Sequence, residues 1–245
     1  MELKTKAIVM GATSKGETDK RVRLFSVDEG IIEATARGVK KQGAKLVAST
    51  FTFAFVEVVL AEKAGFYTVT SVDVLEPFSD LSLDIDKFQL ASSALEIVSE
   101  TTRGNQNHAE VFVELLKFFK LLCYAEHTDY KLCWCKWVLD MLVLAGYKLN
   151  LSKCDICGKK TTSASELFMD MESGSVTCGE HKPVRGVIEA ITPQVFRIMS
   201  GLEKVELADM GGRKLKDEGI SSDSVFEFVK MLVQGVLGIK LKSIF

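Results

Sequence analysis

The sequence is poor in proline and histidine, with only 3 of each among its 245 residues. So few prolines, together with 18 glycines, leave little room for long linkers. No uncharged apolar run approaches the length of a membrane span, and the first residues lack the apolar region of a signal peptide. We therefore expect a cytoplasmic protein without membrane association, whose six cysteines are reduced.

The common catalytic signatures are also absent. The sequence contains no G-x-G-x-x-G turn, Walker loop, G-x-S-x-G elbow or H-E-x-x-H helix. It therefore gives no indication of a dinucleotide enzyme, a nucleotide hydrolase, a serine hydrolase or a zinc protease, and we predict no catalytic residues.

Composition and charge indicate a globular protein with one basic end. A hydrophobic fraction of 47% is sufficient for packed cores, and 245 residues suit one large or two modest domains. The formal net charge is −2, but residues 1–50 hold ten Lys or Arg and six Asp or Glu, so this segment is +4 and the remainder −6. A basic end on an acidic body is a weak indication of a polyanionic partner.

The first 79 residues are predicted to form a β domain. The predicted strands are residues 5–10, 19–27, 31–37, 51–60 and 66–75. In the fourth strand Phe51, Phe53 and Phe55 alternate. The aromatic residues Phe66 and Tyr67 of the fifth are interpreted as core rather than as base-stacking residues, because aromatic strand residues are more often buried. Five strands with short turns and one long loop are typical of a small Greek-key barrel such as the OB-fold.

Residues 80–245 change to the apolar period of α-helices. The first helix should end before Gly104, Asn107 should cap the second, and the third should run from about 128 to 145. Their predicted core-facing residues are Ile85, Phe88, Leu95, Val98, Val111, Leu115, Phe118, Leu122, Cys133, Trp134, Trp137, Val138, Met141 and Leu142. Two more helices are predicted, one near 193–202 and a last one capped by Ser221 or Ser222.

A metal site is indicated by two paired spacings, C-x2-C at Cys154 and Cys157 and C-x2-H at Cys178 and His181. Two residues between ligands allow a tight turn to direct both at one point, and Gly158 permits the left-handed backbone that such a turn often needs. Four protein ligands fill the tetrahedral shell of structural Zn²⁺. We predict one zinc per chain, in a ribbon at residues 150–183 whose turns are mounted on a short hairpin. The predicted fold class is α+β: a five-stranded OB-like β-barrel, then an α-helical domain with this zinc ribbon inserted.

Two other functions fit parts of the pattern. His108-Ala109-Glu110 with Cys154 and Cys157 imitates the zinc deaminase signature, in which His and both Cys hold the metal and Glu moves protons. Lys153 stands where that signature has proline, and the signature leaves Cys178 and His181 unused. The other alternative is a zinc-ribbon scaffold that binds only protein.

Basic residues of the β domain are the candidate DNA-binding site. They are Lys15, Lys20, Arg21, Arg23, Arg37, Lys40, Lys41 and Lys45. On a small barrel they could gather on one face and follow a phosphate backbone. The alternative is that they form a solvated rim, because surface strands often carry Lys and Arg.

Several segments resemble the RecO family of recombination mediators. They are 15–20 (Lys-Gly-Glu-Thr-Asp-Lys), 24–26 (Leu-Phe-Ser), Gly30, 36–41 (Ala-Arg-Gly-Val-Lys-Lys), Gly146-Tyr147 through Leu151 to Gly158, and 237–243 (Leu-Gly-Ile-Lys-Leu-Lys-Ser). The resemblance implies an OB domain that binds single- and double-stranded DNA, a helical domain and a zinc ribbon. The chain departs from the family at Leu149, near which a proline is frequent, and at His181, where the fourth ligand is usually Cys.

The resemblance also implies a function and partners. Such proteins are not enzymes: they anneal complementary strands and, with RecR and in some pathways RecF, help load RecA onto DNA coated by single-strand-binding protein. A nucleoid-associated cytoplasmic location follows. An apolar groove edged by Lys230, Lys240 and Lys242 is expected to accept the acidic-aromatic tail of the single-strand-binding protein.

Overall fold

The computed structural model describes residues 2–103, 108–126, 128–147, 149–211 and 222–244. Its residue contacts divide the chain into two compact units, Met1–Phe119 and Lys120–Phe245. That division falls within a helix. The functional division expected after residue 79 stays a prediction.

The first unit contains the predicted five-stranded barrel. Its strands are β1 (Glu2–Lys15), β2 (Asp19–Ser26), β3 (Gly30–Ala36), β4 (Phe55–Lys63) and β5 (Phe66–Glu76). They close in the order β1-β2-β3-β5-β4, and only the β3–β5 pairing is parallel among the pairings of these strands. This closure removes the exposed strand edges that an open sheet would present.

Alternation of side chains fills the barrel with small and branched residues. On β2, Val22 and Leu24 are fully buried in the barrel. Arg21 and Arg23, which alternate with them along the strand, point outward. The buried core consists of Ala7, Val9, Val22, Leu24, Ile32, Ala34, Ala36, Val39, Ala54, Val56, Val58, Leu60 and Val69. Their small volumes suit the narrow interior of a five-stranded barrel.

The start of the predicted fourth strand was wrong. Val47–Thr50 form a short 3₁₀ turn, and the strand begins only at Phe55. Phe53 has a left-handed backbone, with φ of 75°, and its ring is fully buried against Phe88 and Phe119, with centroids 5.6 Å away in both cases. Packing against the helices of this unit stabilises a conformation that strand alternation does not predict.

Among the described residues, three helices follow the barrel: α1 (Asp80–Leu83), α2 (Ile85–Thr101) and α3 (His108–Tyr124). The Asp84 carboxylate caps α2 by accepting hydrogen bonds from the N–H groups of Asp86 and Lys87. The predicted core residues of α3 are buried, and so are Leu95 and Val98 of α2. The prediction was wrong for the first turn of α2, where Ile85 is 68% and Phe88 is 41% exposed. The predicted stop before Gly104 and cap at Asn107 lie outside the described residues.

The described part of the second unit contains three further helices: α4 (Tyr130–Leu144), α5 (Pro193–Leu202) and α6 (Ser222–Leu237). Trp134 and Trp137 are fully buried, which confirms them as core, and Trp134 packs 4.8 Å from Phe226 of α6. Burial also raises the pKa of the Cys133 thiol to about 12, so this thiol is protonated at neutral pH. Of the two predicted caps of α6, Ser222 is its first residue and Ser221 lies outside the described residues.

No helix among the described residues is both long and apolar enough to cross a membrane.

Candidate metal centre and nucleic-acid interface

The zinc-ribbon segment forms a small antiparallel sheet. Its strands are β6 (Leu167–Asp170), β7 (Val176–Cys178) and β8 (Ile188–Ala190), in the order β7-β6-β8. The hairpin of β6 and β7 matches the prediction, and its register pairs Leu167 with Cys178. The third strand was not predicted, because Ile188-Glu189-Ala190 is too short to show alternation.

Backbone hydrogen bonds shape the first ligand turn. The Gly158 N–H donates to the Cys154 carbonyl at 2.9 Å, and the Cys154 N–H donates to the Lys159 carbonyl at 2.8 Å. The Asp155 N–H donates to the carbonyl of Val176, and the Asp155 carboxylate accepts the Val176 N–H, both at 2.9 Å. The turn is thereby fixed to the start of β7, the strand that ends in Cys178.

The four predicted ligands lie together. The Sγ atoms of the three cysteines and a ring nitrogen of His181 are all within 4.8 Å of one another. Cys157 Sγ is 3.9 Å from Cys178 Sγ, which is 3.4 Å from His181 Nδ1. A tetrahedral zinc with bonds of about 2.3 Å to sulfur and about 2.0 Å to nitrogen has edges of about 3.8 Å and about 3.6 Å. The cluster therefore has the size and donor set to hold a metal ion.

The thiols of the cluster differ in acidity. Burial raises the pKa of Cys154, but the backbone N–H groups of Cys157, Cys178 and Ile156 outweigh it and lower the pKa to about 6. Burial is also the main cause that raises the pKa of Cys178, and hydrogen bonds with the other two thiols add to it. One thiolate is therefore favoured at neutral pH before metal binds, as a metal ligand requires.

The deaminase alternative finds no support in this cluster. Among the described residues, Cys178 and His181 complete the group around Cys154 and Cys157, and His108 does not belong to it. The imidazole of His108 instead lies against Gly30 of the barrel, where an added Cβ would be 2.7 Å from its ring.

Four of the eight predicted DNA-binding cations share the outer face of the barrel. Arg21 and Arg23 on β2 pair with Thr35 and Glu33 on β3. The Lys15 ammonium donates to Thr35 Oγ1 at 2.9 Å, and Arg21 forms an exposed ion pair with Glu33 at 3.8 Å. Arg37 is exposed just after β3. These contacts are solvated and weak, so they leave the cations available to a phosphate.

Three of the remaining four cations follow a loop that is tied to the β1–β2 turn. Asp19 accepts hydrogen bonds from the Gly38 N–H and the Thr18 hydroxyl, both at 2.8 Å. The Lys40 N–H donates to the Thr18 carbonyl at 3.0 Å, and its ammonium donates to the Gly16 carbonyl at 2.9 Å. Lys41 and Lys45 are exposed on the same loop. Lys20 has the opposite alternation to Arg21 and is half-buried, so it does not share that face.

The fifth strand corrects one sequence interpretation. Tyr67 is partly buried against the barrel core, as predicted, but Phe66 is 77% exposed. The sequence signal that could have indicated this is the Lys63-Ala64-Gly65 turn directly before it, since the first residue after a turn often lies at the surface.

A groove beside the ribbon was not predicted. It has a volume of about 710 Å³ and lies between the ribbon and α5, lined by apolar Leu151, Leu167, Ile191, Pro193 and Phe196. Lys153, Lys160, Arg197 and Lys204 also line it, with one carboxylate, Glu203. The three lysines that were expected to edge a groove, Lys230, Lys240 and Lys242, do not line this groove. Lys230 is paired with Glu227 at 2.6 Å, and its side chain is only 13% exposed.

Comparison with known proteins gives consistent matches along the chain. The family model described as Recombination protein O N terminal matches residues 1–78, and that described as Recombination protein O C terminal matches residues 82–244. A DNA repair protein RecO of Clostridium novyi is 31% identical over 171 residues, which are 70% of this chain and 66% of that protein. One of Acetivibrio thermocellus is 27% identical over 245 residues, covering 94% of this chain and 97% of that protein.

Proposed function

Because the chain belongs to the RecO family of DNA repair proteins, we propose that it is a recombination mediator that holds DNA by the sugar–phosphate backbone. Its proposed activities are binding of single- and double-stranded DNA, annealing of complementary strands and loading of RecA onto DNA coated with single-strand-binding protein. It makes and breaks no covalent bonds, and it acts in the cytoplasm at the nucleoid.

The observation that carries this proposal is the gathering of basic side chains on one part of the barrel. Lys15, Arg21, Arg23 and Arg37 share the outer face, and the loop with Lys40 is tied to the β1–β2 turn beside them. Lys and Arg on a strand face suit phosphates, which position a protein on DNA without reading its sequence. We therefore assign DNA binding to residues 1–79.

The proposed metal is one structural Zn²⁺ held by Cys154, Cys157, Cys178 and His181. The metal would supply only cross-linking, because four protein ligands leave no open coordination position for a substrate. The chain itself presents the ligands: hydrogen bonds of Asp155 fix the first turn to β7, and β7 carries Cys178. We assign this role to the ribbon at 150–183 within a helical domain at 80–245.

The proposed protein partners are RecR, RecF in some pathways, and the tail of single-strand-binding protein. The groove between the ribbon and α5 suits an acidic peptide with an aromatic anchor, because its floor is apolar and four cations line it. If the chain bound such peptides but no DNA, the protein-only scaffold would become the better interpretation.

Titration of the full chain with labelled oligonucleotides tests the proposal. Single-stranded and duplex DNA of unrelated sequences should bind with similar affinity within each class, and the affinity should fall as salt rises. Strand-annealing and RecA-loading assays on DNA coated with single-strand-binding protein test the two finer activities. Absence of binding to either DNA class would contradict the proposal, and nucleobase deamination that is lost in a Glu110→Gln variant would favour the deaminase.

A further inference from the structure

Phe66 is the most exposed aromatic side chain among the described residues, with 77% of its surface in solvent. The next aromatic residues in exposure are Tyr124 at 60% and Phe51 at 49%. Single exposed apolar residues are common on protein surfaces, so the exposure of Phe66 becomes informative only through the position that its ring takes on the barrel.

A tight turn fixes the position of this ring. Phe66 is the first residue of β5 and pairs with Lys63 of β4 across a two-residue turn. Ala64 and Gly65 in that turn both have left-handed backbones, with φ of 52° and 78°. Two such residues form the compact hairpin turn whose twist matches the strands. Phe66 is therefore presented by the end of a paired strand rather than by a long loop.

The register of the barrel places Phe66 on the face that carries the arginines. Parallel pairing of β3 with β5 sets Ala34 beside Tyr67 and Thr35 beside Thr68. Continuing this register back by one residue places Glu33 next to Phe66. Glu33 in turn pairs with Arg23 of β2. Tyr67 packs on the core, so Phe66 points outward, as Arg23 does between buried Val22 and Leu24. Two strand spacings separate Phe66 from Arg23, a distance of about 10 Å.

Glu33 does not prevent an anion from reaching this face. It forms an ion pair with Arg21 at 3.8 Å, with both side chains more than half exposed. Exposed pairs of this kind contribute little free energy, so a phosphate can replace the carboxylate as partner of the guanidinium.

We propose that Phe66 is a base-stacking residue for single-stranded DNA whose phosphates lie along Arg21 and Arg23. This inference rests on the proposed function and deepens it. The face of a phenyl ring accepts any base, so stacking strengthens binding without reading sequence. Bases inside a duplex are already stacked on their neighbours and do not reach the ring. Phe66 is therefore the residue by which the barrel prefers single strands over duplex.

Replacement of the ring tests the inference with matched controls. Phe66→Ala should weaken binding of a single-stranded oligonucleotide by about 5- to 150-fold, the range for loss of one stacked base. The affinity for duplex DNA should stay unchanged. The salt dependence of single-strand and duplex binding should also stay unchanged, because no charge is removed. Phe66→Leu, which keeps an apolar side chain without a ring, should behave like Phe66→Ala. Leu83→Ala, which truncates another strongly exposed apolar residue, should alter neither affinity.

A spectroscopic variant reports stacking directly. Both tryptophans of the chain, Trp134 and Trp137, are fully buried. An indole introduced by Phe66→Trp is then the only exposed one, and single-stranded DNA should quench its fluorescence while duplex DNA should not. The variant should also keep the wild-type affinity for single strands, since indole stacks at least as well as phenyl.

The outcomes separate this inference from the proposed function. If the wild-type chain binds no DNA, both are overturned. If it binds DNA and Phe66→Ala has unchanged single-strand affinity, or loses single-strand and duplex affinity equally, the stacking role alone is overturned. If single-stranded DNA binds the Phe66→Trp variant without quenching the fluorescence of its indole, the stacking role is likewise overturned.

Discussion

His181 supplies the single nitrogen in a cluster whose other three ligands are sulfur. Its Nδ1 lies 3.4 Å from Cys178 Sγ, close to the edge of about 3.6 Å expected for sulfur and nitrogen on one zinc. His181 is half-buried and Cys157 is exposed, whereas Cys154 and Cys178 are buried. Cys157 and His181 therefore form the solvent side of the site.

We expect His181→Cys to keep one zinc per chain, because thiolate and imidazole both serve tetrahedral sites. Cys178→Ser should lose the metal, since a serine hydroxyl is a poor zinc ligand at neutral pH. Elemental analysis of protein purified without chelators measures both. Cys123→Ser, which removes a thiol outside the cluster, should retain the wild-type zinc content. Wild-type protein without metal would contradict the assignment.

Gly235 of α6 allows the ribbon backbone to approach closely. A Cβ built there would lie 2.3 Å from the Met171 carbonyl oxygen, which is a backbone atom just after β6. A helix interior normally favours alanine over glycine by about 1 kcal/mol. The clash outweighs that preference, because backbone atoms at this distance must move.

Gly235→Ala should therefore reduce the free energy of unfolding by about 1–3 kcal/mol, the usual cost of overpacking. Gly201→Ala in α5 is the matched control, since an added Cβ there meets nothing within 4 Å. That variant should be neutral or slightly stabilising. Thermal unfolding of the wild type and the two variants measures these changes in stability. Equal destabilisation of both variants would show that the close approach at Gly235 is unimportant.

At the scale of elements, the β1–β2 turn and the loop after β3 behave as one anchored unit. The Asp19 carboxylate accepts a hydrogen bond from the Gly38 N–H, and the Thr18 carbonyl accepts one from the Lys40 N–H. These bonds tie the loop to the β1–β2 turn. The anchor leaves Arg37, Lys40 and Lys41 exposed while limiting their motion. A cationic loop held in this way loses less conformational entropy when it binds phosphates.

Combined replacement of Arg37, Lys40 and Lys41 by Ala should reduce both affinity and salt dependence. If about five cations each neutralise a phosphate, the log–log salt slope on single strands is about −3.5, and loss of three brings it to about −1.4. The fold should be retained, because these loop side chains lie outside the barrel core. Unchanged affinity and slope would refute the role of the loop; Lys182→Ala, a cation of the ribbon, is the control.

Asp19→Ala should loosen the loop without removing a cation. In the wild type, the Gly38 N–H and then the Thr18 hydroxyl lower the pKa of Asp19. A lowered pKa means that the stabilisation is present above the ordinary pKa of aspartate and is lost as pH falls through the lowered value. The Gly38 amide resonance should therefore shift in acid in the wild type and not in Asp19→Ala. An identical acid shift in both proteins would contradict the anchor.

At the scale of the whole molecule, the metal cluster lies in a part of the second unit whose described residues form only short strands and turns. The strands of the ribbon are only three or four residues long. Such short strands do not bury enough surface to order the segment, so a metal cross-link is expected to contribute much of the local stability.

Metal removal should accordingly lower the melting temperature by at least about 5 °C, which corresponds to a loss of about 2 kcal/mol in a chain of this size. Dialysis against a chelator followed by calorimetry measures the change, and added Zn²⁺ should restore it. DNA affinity should fall only to the extent that the protein unfolds. A chelated protein with unchanged melting and a wild-type zinc content in the untreated sample would show that the metal is not structural.

The sequence by itself determined the features that depend on short spacings. The four metal-cluster residues followed from two ligand pairs of fixed separation, because a tight turn joins residues only a few positions apart. The barrel followed from five predicted strands joined by short turns and one long loop, and the buried tryptophans of α4 followed from the helical period. The identities of the cations were also available, although not which of them share a face.

Only the tertiary structure decided which side chains are exposed where local periodicity is ambiguous. Phe53 and Phe66 are both phenylalanines in apolar runs, yet one is fully buried against helix aromatics and the other lies in solvent. Their difference arises from the parallel pairing of β3 with β5 and from helices distant in sequence. The groove beside α5 likewise combines segments near residues 151, 161 and 197. Burial depends on contacts between remote residues, and no local pattern contains that information.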